Sequence, residues 1–198
     1  NGDVYKGYFT NNQYHGKGIY YHKNGDKYIG EFHNGRRSGK GTYYYLADNK
    51  SKGDRYSGIY QLDKFHGLGT YSWSNGNKYH GNYKNGVREG HGTYTWPNGD
   101  KYEGQFKNSK SHGLGNSNFI NGDKHLGEYQ NGKRHGRGTY FWADGRIDFG
   151  EFKNGKLNGY AKVIYRDGIV KEGIWENDKF IRPALNHSQK YDIKLKKI

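Results

Sequence analysis

The sequence contains no cysteine and no methionine, and only two of its 198 residues are proline. Without cysteine there is no disulfide framework, no thiolate zinc site and no cysteine nucleophile. Aliphatic side chains are scarce too. The hydrophobic set makes up 31% of the chain, and aromatics alone account for 17%. A two-layer globular core is built mainly from aliphatics, so that architecture is excluded. No apolar run approaches the roughly 18 residues of a membrane-spanning helix, and the first residues show no signal-peptide pattern. A cytoplasmic location is expected, and residue 1, which is not methionine, reads as a boundary within a longer protein.

What is present is equally uneven. The chain holds 21 Tyr, 9 Phe, 4 Trp and 33 Gly. Disordered chains are poor in aromatics, so this is a folding sequence; its glycine content is too low for collagen and too high for a helical domain. The formal net charge is +14, which favours anionic partners such as acidic protein segments, phospholipid headgroups or nucleic acid.

An internal repeat accounts for these excesses. The motif aromatic-x-Gly-x-aromatic occurs as Tyr5-x-Gly7-x-Phe9, Tyr28-Ile-Gly30-Glu-Phe32, Tyr56-Ser-Gly58-Ile-Tyr60, Tyr79-His-Gly81-Asn-Tyr83 and Tyr102-Glu-Gly104-Gln-Phe106. It continues, less regularly, with Gly127 and Tyr129, Gly150 and Phe152, and Gly173 and Trp175. Every step between central glycines is 23 residues except one of 28, explained by a five-residue insertion within Ala47–Gly53. A second ladder, Gly-x-Gly, starts at Gly16, Gly39, Gly67, Gly90, Gly113 and Gly136, and at Gly159 with Ala161 in place of its second glycine. Turn dipeptides recur twice per repeat, as Asn24-Gly25, Asn75-Gly76, Asn98-Gly99 and Asn121-Gly122 and as Asn34-Gly35, Asn85-Gly86, Asn131-Gly132 and Asn154-Gly155.

In a strand, positions i, i+2 and i+4 share one face, and the aromatic-Gly-aromatic triplets have that spacing; helical spacing fits nowhere. Asn-Gly and Asp-Gly are signals for two-residue type I′ hairpin turns. Each repeat is therefore expected to be one hairpin, and the fold an all-β, elongated, single-layer antiparallel β-meander solenoid curled into a groove. A glycine inside a strand needs a reason; here neighbouring rings need room to lie over it. The array spans residues 1–180, about seven and a half repeats, and residues 181–198 form a basic segment that either caps the last strand or extends as a tail. Asn1-Gly2-Asp3-Val4-Tyr5 matches the junction Asn24-Gly25-Asp26-Lys27-Tyr28, so further repeats are expected ahead of residue 1.

The pattern Tyr-x-Gly-x-aromatic, His-Gly-x-Gly-x-Tyr (His66-Gly67-Leu68-Gly69-Thr70-Tyr71) and Asn-Gly-Asp-x-Tyr, at 23-residue spacing, resembles the MORN (membrane occupation and recognition nexus) repeat over more than nine-tenths of the chain. That resemblance implies a β-hairpin solenoid with a groove. The family occurs beside catalytic domains in lipid kinases and a methyltransferase, and in junctophilins, ciliary spoke proteins and parasite cytoskeletal proteins. It implies binding of partner peptides or helices, self-association and contact with acidic phospholipids. Ser117, His125, Asp148 and Lys171 depart from the pattern and weaken it toward the C-terminal end.

The motifs bear on three kinds of chemistry. For catalysis, Ser38-Gly39-Lys40-Gly41-Thr42 brushes against a phosphate loop, but that loop needs Gly-x-x-x-x-Gly-Lys-[Ser/Thr] opening a helix; Gly35 is one residue too close and a strand follows. For metals, His15, His66, His112 and His135 share one repeat position, but successive repeats lie about 9.5 Å apart, beyond one ion's reach. No enzyme, cofactor or metal site is expected. For binding, Tyr28, Tyr56, Tyr79, Tyr102, Trp73, Trp96 and Trp142 are the expected groove, mainly as a stabilising ladder and secondarily as an apolar floor for a helical or extended segment of a partner protein. Lys27, Lys78, Lys101 and Lys124 are expected along its basic rim. The reading is a scaffold or adaptor, with homodimer formation through exposed sheet edges. The alternative is a peripheral membrane adaptor for anionic phospholipid, with cytoskeletal or membrane association; nucleic acid is disfavoured.

Overall fold

A computed structural model describes residues 2–184; Asn1 and residues 185–198, which hold most of the basic segment expected to cap or extend the array, lie outside them. Among the described residues there are sixteen strands and no helix. They fall into two compact units, within residues 1–110 and 111–198.

The first unit contains β1 (Val4–Thr10), β2 (Gln13–Tyr21), β3 (Lys27–His33), β4 (Arg36–Tyr44), β5 (Arg55–Gln61), β6 (Lys64–Ser72), β7 (Lys78–Lys84), β8 (Val87–Thr95) and β9 (Lys101–Lys107). The second contains β10 (Lys110–Asn118, from Ser111), β11 (Lys124–Gln130), β12 (Lys133–Phe141), β13 (Ile147–Lys153), β14 (Lys156–Ile164), β15 (Val170–Glu176) and β16 (Lys179–Pro183). Within each unit every strand pairs antiparallel with its chain neighbours. The expected division at residue 180 falls inside β16.

The two turn classes differ. Inside each hairpin the turn has two residues, both at positive φ: Asn34 (49°) and Gly35 (77°), or Asn85 (52°) and Gly86 (85°). This is the type I′ geometry expected from Asn-Gly. Between hairpins the geometry is another one and corrects the expectation. At Asn24-Gly25 only the glycine has positive φ; its N–H donates to the His22 carbonyl at 2.9 Å, and His22 N–H donates to the Asp26 carbonyl at 2.9 Å. That is a three-residue loop, Lys23-Asn24-Gly25, a type I turn closed by a left-handed glycine. The five-residue insertion enlarges it without changing its frame, since Gly53 N–H still donates to Tyr45 and Tyr45 N–H to Asp54.

Strands β1 to β15 alternate between seven and nine residues, and β16 has five. The difference is absorbed by a β-bulge: Gly30 faces Gly41, but Phe32 faces Arg37. The first glycine of each Gly-x-Gly sits in that bulge at positive φ, as at Gly39 (95°) and Gly90 (84°). The second lies opposite the glycine of the aromatic motif. Over this bare pair lies the motif's own tyrosine: a Cβ on Gly92 would come 2.6 Å from ring carbons of Tyr79. The ring ends at the bulge, where its hydroxyl donates to the carbonyl three residues on. Tyr28 thus bonds Glu31, Tyr56 bonds Ile59 and Tyr79 bonds Asn82, each at 3.0 Å, and Tyr102 bonds Gln105 at 2.9 Å. One side chain thereby covers the glycines and satisfies a carbonyl that the bulge removes from the ladder.

Candidate functional site

The aromatic face has two depths. Tyr28, Tyr56 and Tyr79 are 0% exposed and Tyr102 is 2% exposed. Each packs edge-on against the aromatic four residues on, and Tyr28, Tyr56 and Tyr79 also pack against the next hairpin's equivalent, as Tyr28 does with Phe32 at 5.1 Å and Tyr60 at 5.1 Å. These four tyrosines were expected to floor a groove as well as stabilise it. Buried this completely, they are core and offer no contact surface.

A second, shallower row lies along the between-hairpin turns of the first unit. Its centroid steps run Tyr43–Tyr45 4.6 Å, Tyr45–Tyr71 5.9 Å, Tyr71–Trp73 4.5 Å, Trp73–Tyr94 5.5 Å and Tyr94–Trp96 4.6 Å. These rings are half-buried, and Trp96 is 40% exposed. Trp73 and Trp96 thus share one strip. The expected Trp142 belongs to the second unit, where its indole N–H donates to buried Asp148 at 2.8 Å.

Aspartates anchor the strip. Asp26 accepts from the Tyr43 hydroxyl at 3.0 Å and from the Leu46 and Ala47 N–H groups at 2.8 Å each. Asp54 does the same for the Tyr71 hydroxyl (2.8 Å) and Ser74 N–H (2.8 Å). Burial works to raise the Asp26 pKa, but its backbone and hydroxyl donors outweigh burial and hold it below the ordinary carboxylate range. Burial, then the hydrogen bond and charge of the aspartate, push the hydroxyls of Tyr43 and Tyr71 far upward. The hydroxyls are therefore fixed in place, and the ring faces are what the strip presents.

Two arginines enter this surface. The Arg37 guanidinium lies 5.3 Å from the Tyr43 ring and 5.4 Å from Tyr60, and pairs with Asp63 at 3.2 Å. Arg88 lies 5.2 Å from Tyr94, 5.5 Å from Tyr79 and 5.7 Å from Trp73, and donates to the Ser109 carbonyl at 2.7 Å. Arg134 repeats the arrangement in the second unit, 4.4 Å from Tyr140 and 2.7 Å from the Gly155 carbonyl. Sequence reasoning missed these arginines, although a signal existed. The position nine residues after each motif's first residue reads Tyr14, Arg37, Phe65, Arg88, Ser111, Arg134, Leu157 and Phe180, so arginine occupies three consecutive alternate repeats.

The lysines Lys27, Lys78, Lys101 and Lys124 do not rim the aromatic face. Each immediately precedes the first residue of an aromatic motif, and strand alternation sends it to the opposite face. Lys27 there lies 4.9 Å from the Tyr44 ring and Lys101 pairs with Glu103 at 2.8 Å. Among the described residues no group of three or more His, Asp or Glu side chains is placed to hold a metal ion.

The profile of the MORN repeat matches residues 5–27, 28–45, 56–78, 79–101, 102–124, 125–145 and 149–170. No curated protein matches the sequence. Among solved structures, the chain is similar to the TCP domain of SAS-4 (dCPAP) in complex with a proline-rich motif of Ana2 (dSTIL) from Drosophila melanogaster. The identity is 12%, the match covers 81% of this chain and 84% of that one, and the TM-score is 0.48. A catalytically inactive virginiamycin B lyase from Staphylococcus aureus with quinupristin matches at 15% identity, over 92% of this chain and 61% of that one, with a TM-score of 0.18.

Proposed function

The chain belongs to the MORN repeat family, and from that premise we propose that it is a non-enzymatic adaptor that binds a helical or extended segment of a partner protein. The binding element is the shallow strip of Tyr43, Tyr45, Tyr71, Trp73, Tyr94 and Trp96. The observation that carries this reading is the division of labour on one face. The deep tyrosines already stabilise the sheet, so the half-exposed rings beside Arg37 and Arg88 are additional aromatic surface of the composition that dominates binding hot spots. Trp96→Ala tests it. With 40% of Trp96 already in solvent, the melting temperature should move by no more than about 2 °C. Recovery of partner polypeptide from native lysate, and its affinity for the purified chain, should fall about tenfold. Unchanged affinity with a stable fold refutes the strip.

A further reading rests on a separate observation. Within the first unit, Lys27, Lys78 and Lys101 on the opposite face favour contact with anionic phospholipid at a cytoplasmic membrane surface. Vesicle flotation should then need acidic lipid and fail at high salt.

A further inference from the structure

We propose that the segment accepted by the Tyr43–Trp96 strip is a polyproline II helix with proline at every third residue and acidic side chains at six-residue intervals. This rests on the adaptor reading above and names the partner's chemistry. The first support is a match of periods. Equivalent rings recur once per hairpin, that is every two strands, or about 9.6 Å. The centroid steps through one such period, Tyr71 to Trp73 and Trp73 to Tyr94, are 4.5 and 5.5 Å. A polyproline II helix has three residues per turn and rises about 3.1 Å per residue, so it presents the same side about every 9.3 Å. Laid along the strip, its proline rings fall on successive ring sites with a mismatch of only about 0.3 Å per hairpin. An α-helix covers the same period in about 6.4 residues, a rotation that leaves its contact stripe about 80° out of register at each hairpin.

The second support is chemical. The ring faces of the strip suit proline rings, and because the Tyr43 and Tyr71 hydroxyls are committed to Asp26 and Asp54, the indole N–H groups of Trp73 and Trp96 are the donors for the carbonyls that a polyproline II helix leaves without internal hydrogen bonds. The third is charge. Arg37 and Arg88 stand two hairpins apart, about 19 Å along the strand stack, which is six residues of polyproline II. Arg37 is shared with Asp63, while Arg88 has the Ser109 carbonyl and, among the described residues, no carboxylate. Residues 1–110 carry seventeen Lys and Arg against nine Asp and Glu, so an acidic segment meets an attractive field.

Fluorescence anisotropy on the purified chain provides the test, using four labelled probes. The first is a peptide of about five polyproline II turns with Pro every third residue and Glu every sixth. The second is the same peptide with one Gly inserted after each triad. The third is an amphipathic helical peptide of equal net charge, and the fourth is oligothymidylate. The first peptide should bind about tenfold more tightly than the others and lose about tenfold with Trp96→Ala. Arg88→Gln should weaken it about threefold and should leave a Glu-to-Gln version of the peptide unaffected. Preference for the helical peptide, sensitive to Trp96→Ala, overturns the polyproline reading and leaves the adaptor reading standing. So does equal binding of the Gly-interrupted peptide at the strip. Tight oligothymidylate binding there replaces both readings by a nucleic-acid one. Absence of any binding sensitive to Trp96→Ala overturns both.

Discussion

Hairpin β3–β4 in the first unit and hairpin β13–β14 in the second solve the same packing problem differently. In the first, the Tyr28 ring lies over Gly30 and Gly41. In the second, Asp148 replaces the tyrosine and Ala161 replaces the second glycine. The methyl of Ala161 and the side chains of Leu157 and Val163, all buried, fill the space with Tyr140, Phe152 and Trp175. Asp148 is held by the Trp142 indole at 2.8 Å and by Arg146 at 2.6 and 2.9 Å. The ring and the bare glycine are thus one device: this chain gives up the glycine where it gives up the ring.

The sharpest way to break this comparison is Gly41→Ala. The new methyl collides with the Tyr28 ring, so the ring must leave both the glycines and the Glu31 carbonyl. Overpacking and the lost hydrogen bond together predict a loss of about 4 kcal/mol, whereas Ala161→Gly, which only opens a small cavity, should cost about 1 kcal/mol. Denaturant melts of both variants decide the ranking.

The next effect is a pH dependence centred on His125 in the second unit. His125 occupies the ladder-tyrosine position, is 0% exposed and bonds the Tyr129 hydroxyl at 3.0 Å. Burial, then the charge of Arg134, lowers its pKa to about 4 from 6.5. Because the unfolded chain takes up the proton first, stability is full above pH 6.5 and falls as the pH drops toward 4, by about 3 kcal/mol. His125→Tyr should flatten that slope in melts between these two pH values, and an unchanged slope would assign it elsewhere.

Asp26→Ala and Asp123→Ala test what the units share. Asp26 accepts from Tyr43, Leu46 and Ala47, and Asp123 accepts from Tyr140 at 2.7 Å and Ala143 at 2.7 Å. Each truncation should cost about 2 kcal/mol by thermal melting, and a large inequality would mean that the turns are anchored differently. The smallest effect is a gain. The β5–β6 turn places Leu62 at φ 48°, where most hairpins carry Asn. Leu62→Asn should stabilise the chain by about 1 kcal/mol in the same melts.

Much of this was legible in the sequence. The 23-residue spacing, the Asn-Gly pairs and the period of two in Tyr28-Ile-Gly30-Glu-Phe32 define the hairpins, the shared face and the space under the rings. What was not legible is depth. Alternation places Tyr28 and Tyr43 on one face but does not say that Tyr28 folds inward over a glycine pair while Tyr43 leans outward to Asp26. That depends on the bulge, whose two extra residues appear only when the strands are paired. The lysine misplacement is different, since alternation alone puts Lys27 opposite Tyr28. The arginines at 37, 88 and 134 were hidden because they repeat every second unit, and a single-repeat alignment averages them with Tyr14, Phe65 and Ser111.

A double-mutant cycle on Tyr28 and Gly41 tests the pairing of ring and bare glycine most directly. In the wild-type background Gly41→Ala should cost about 4 kcal/mol, and in a Tyr28→Ala background less than about 1 kcal/mol, a coupling of about 3 kcal/mol. Additive effects of the two substitutions would contradict it.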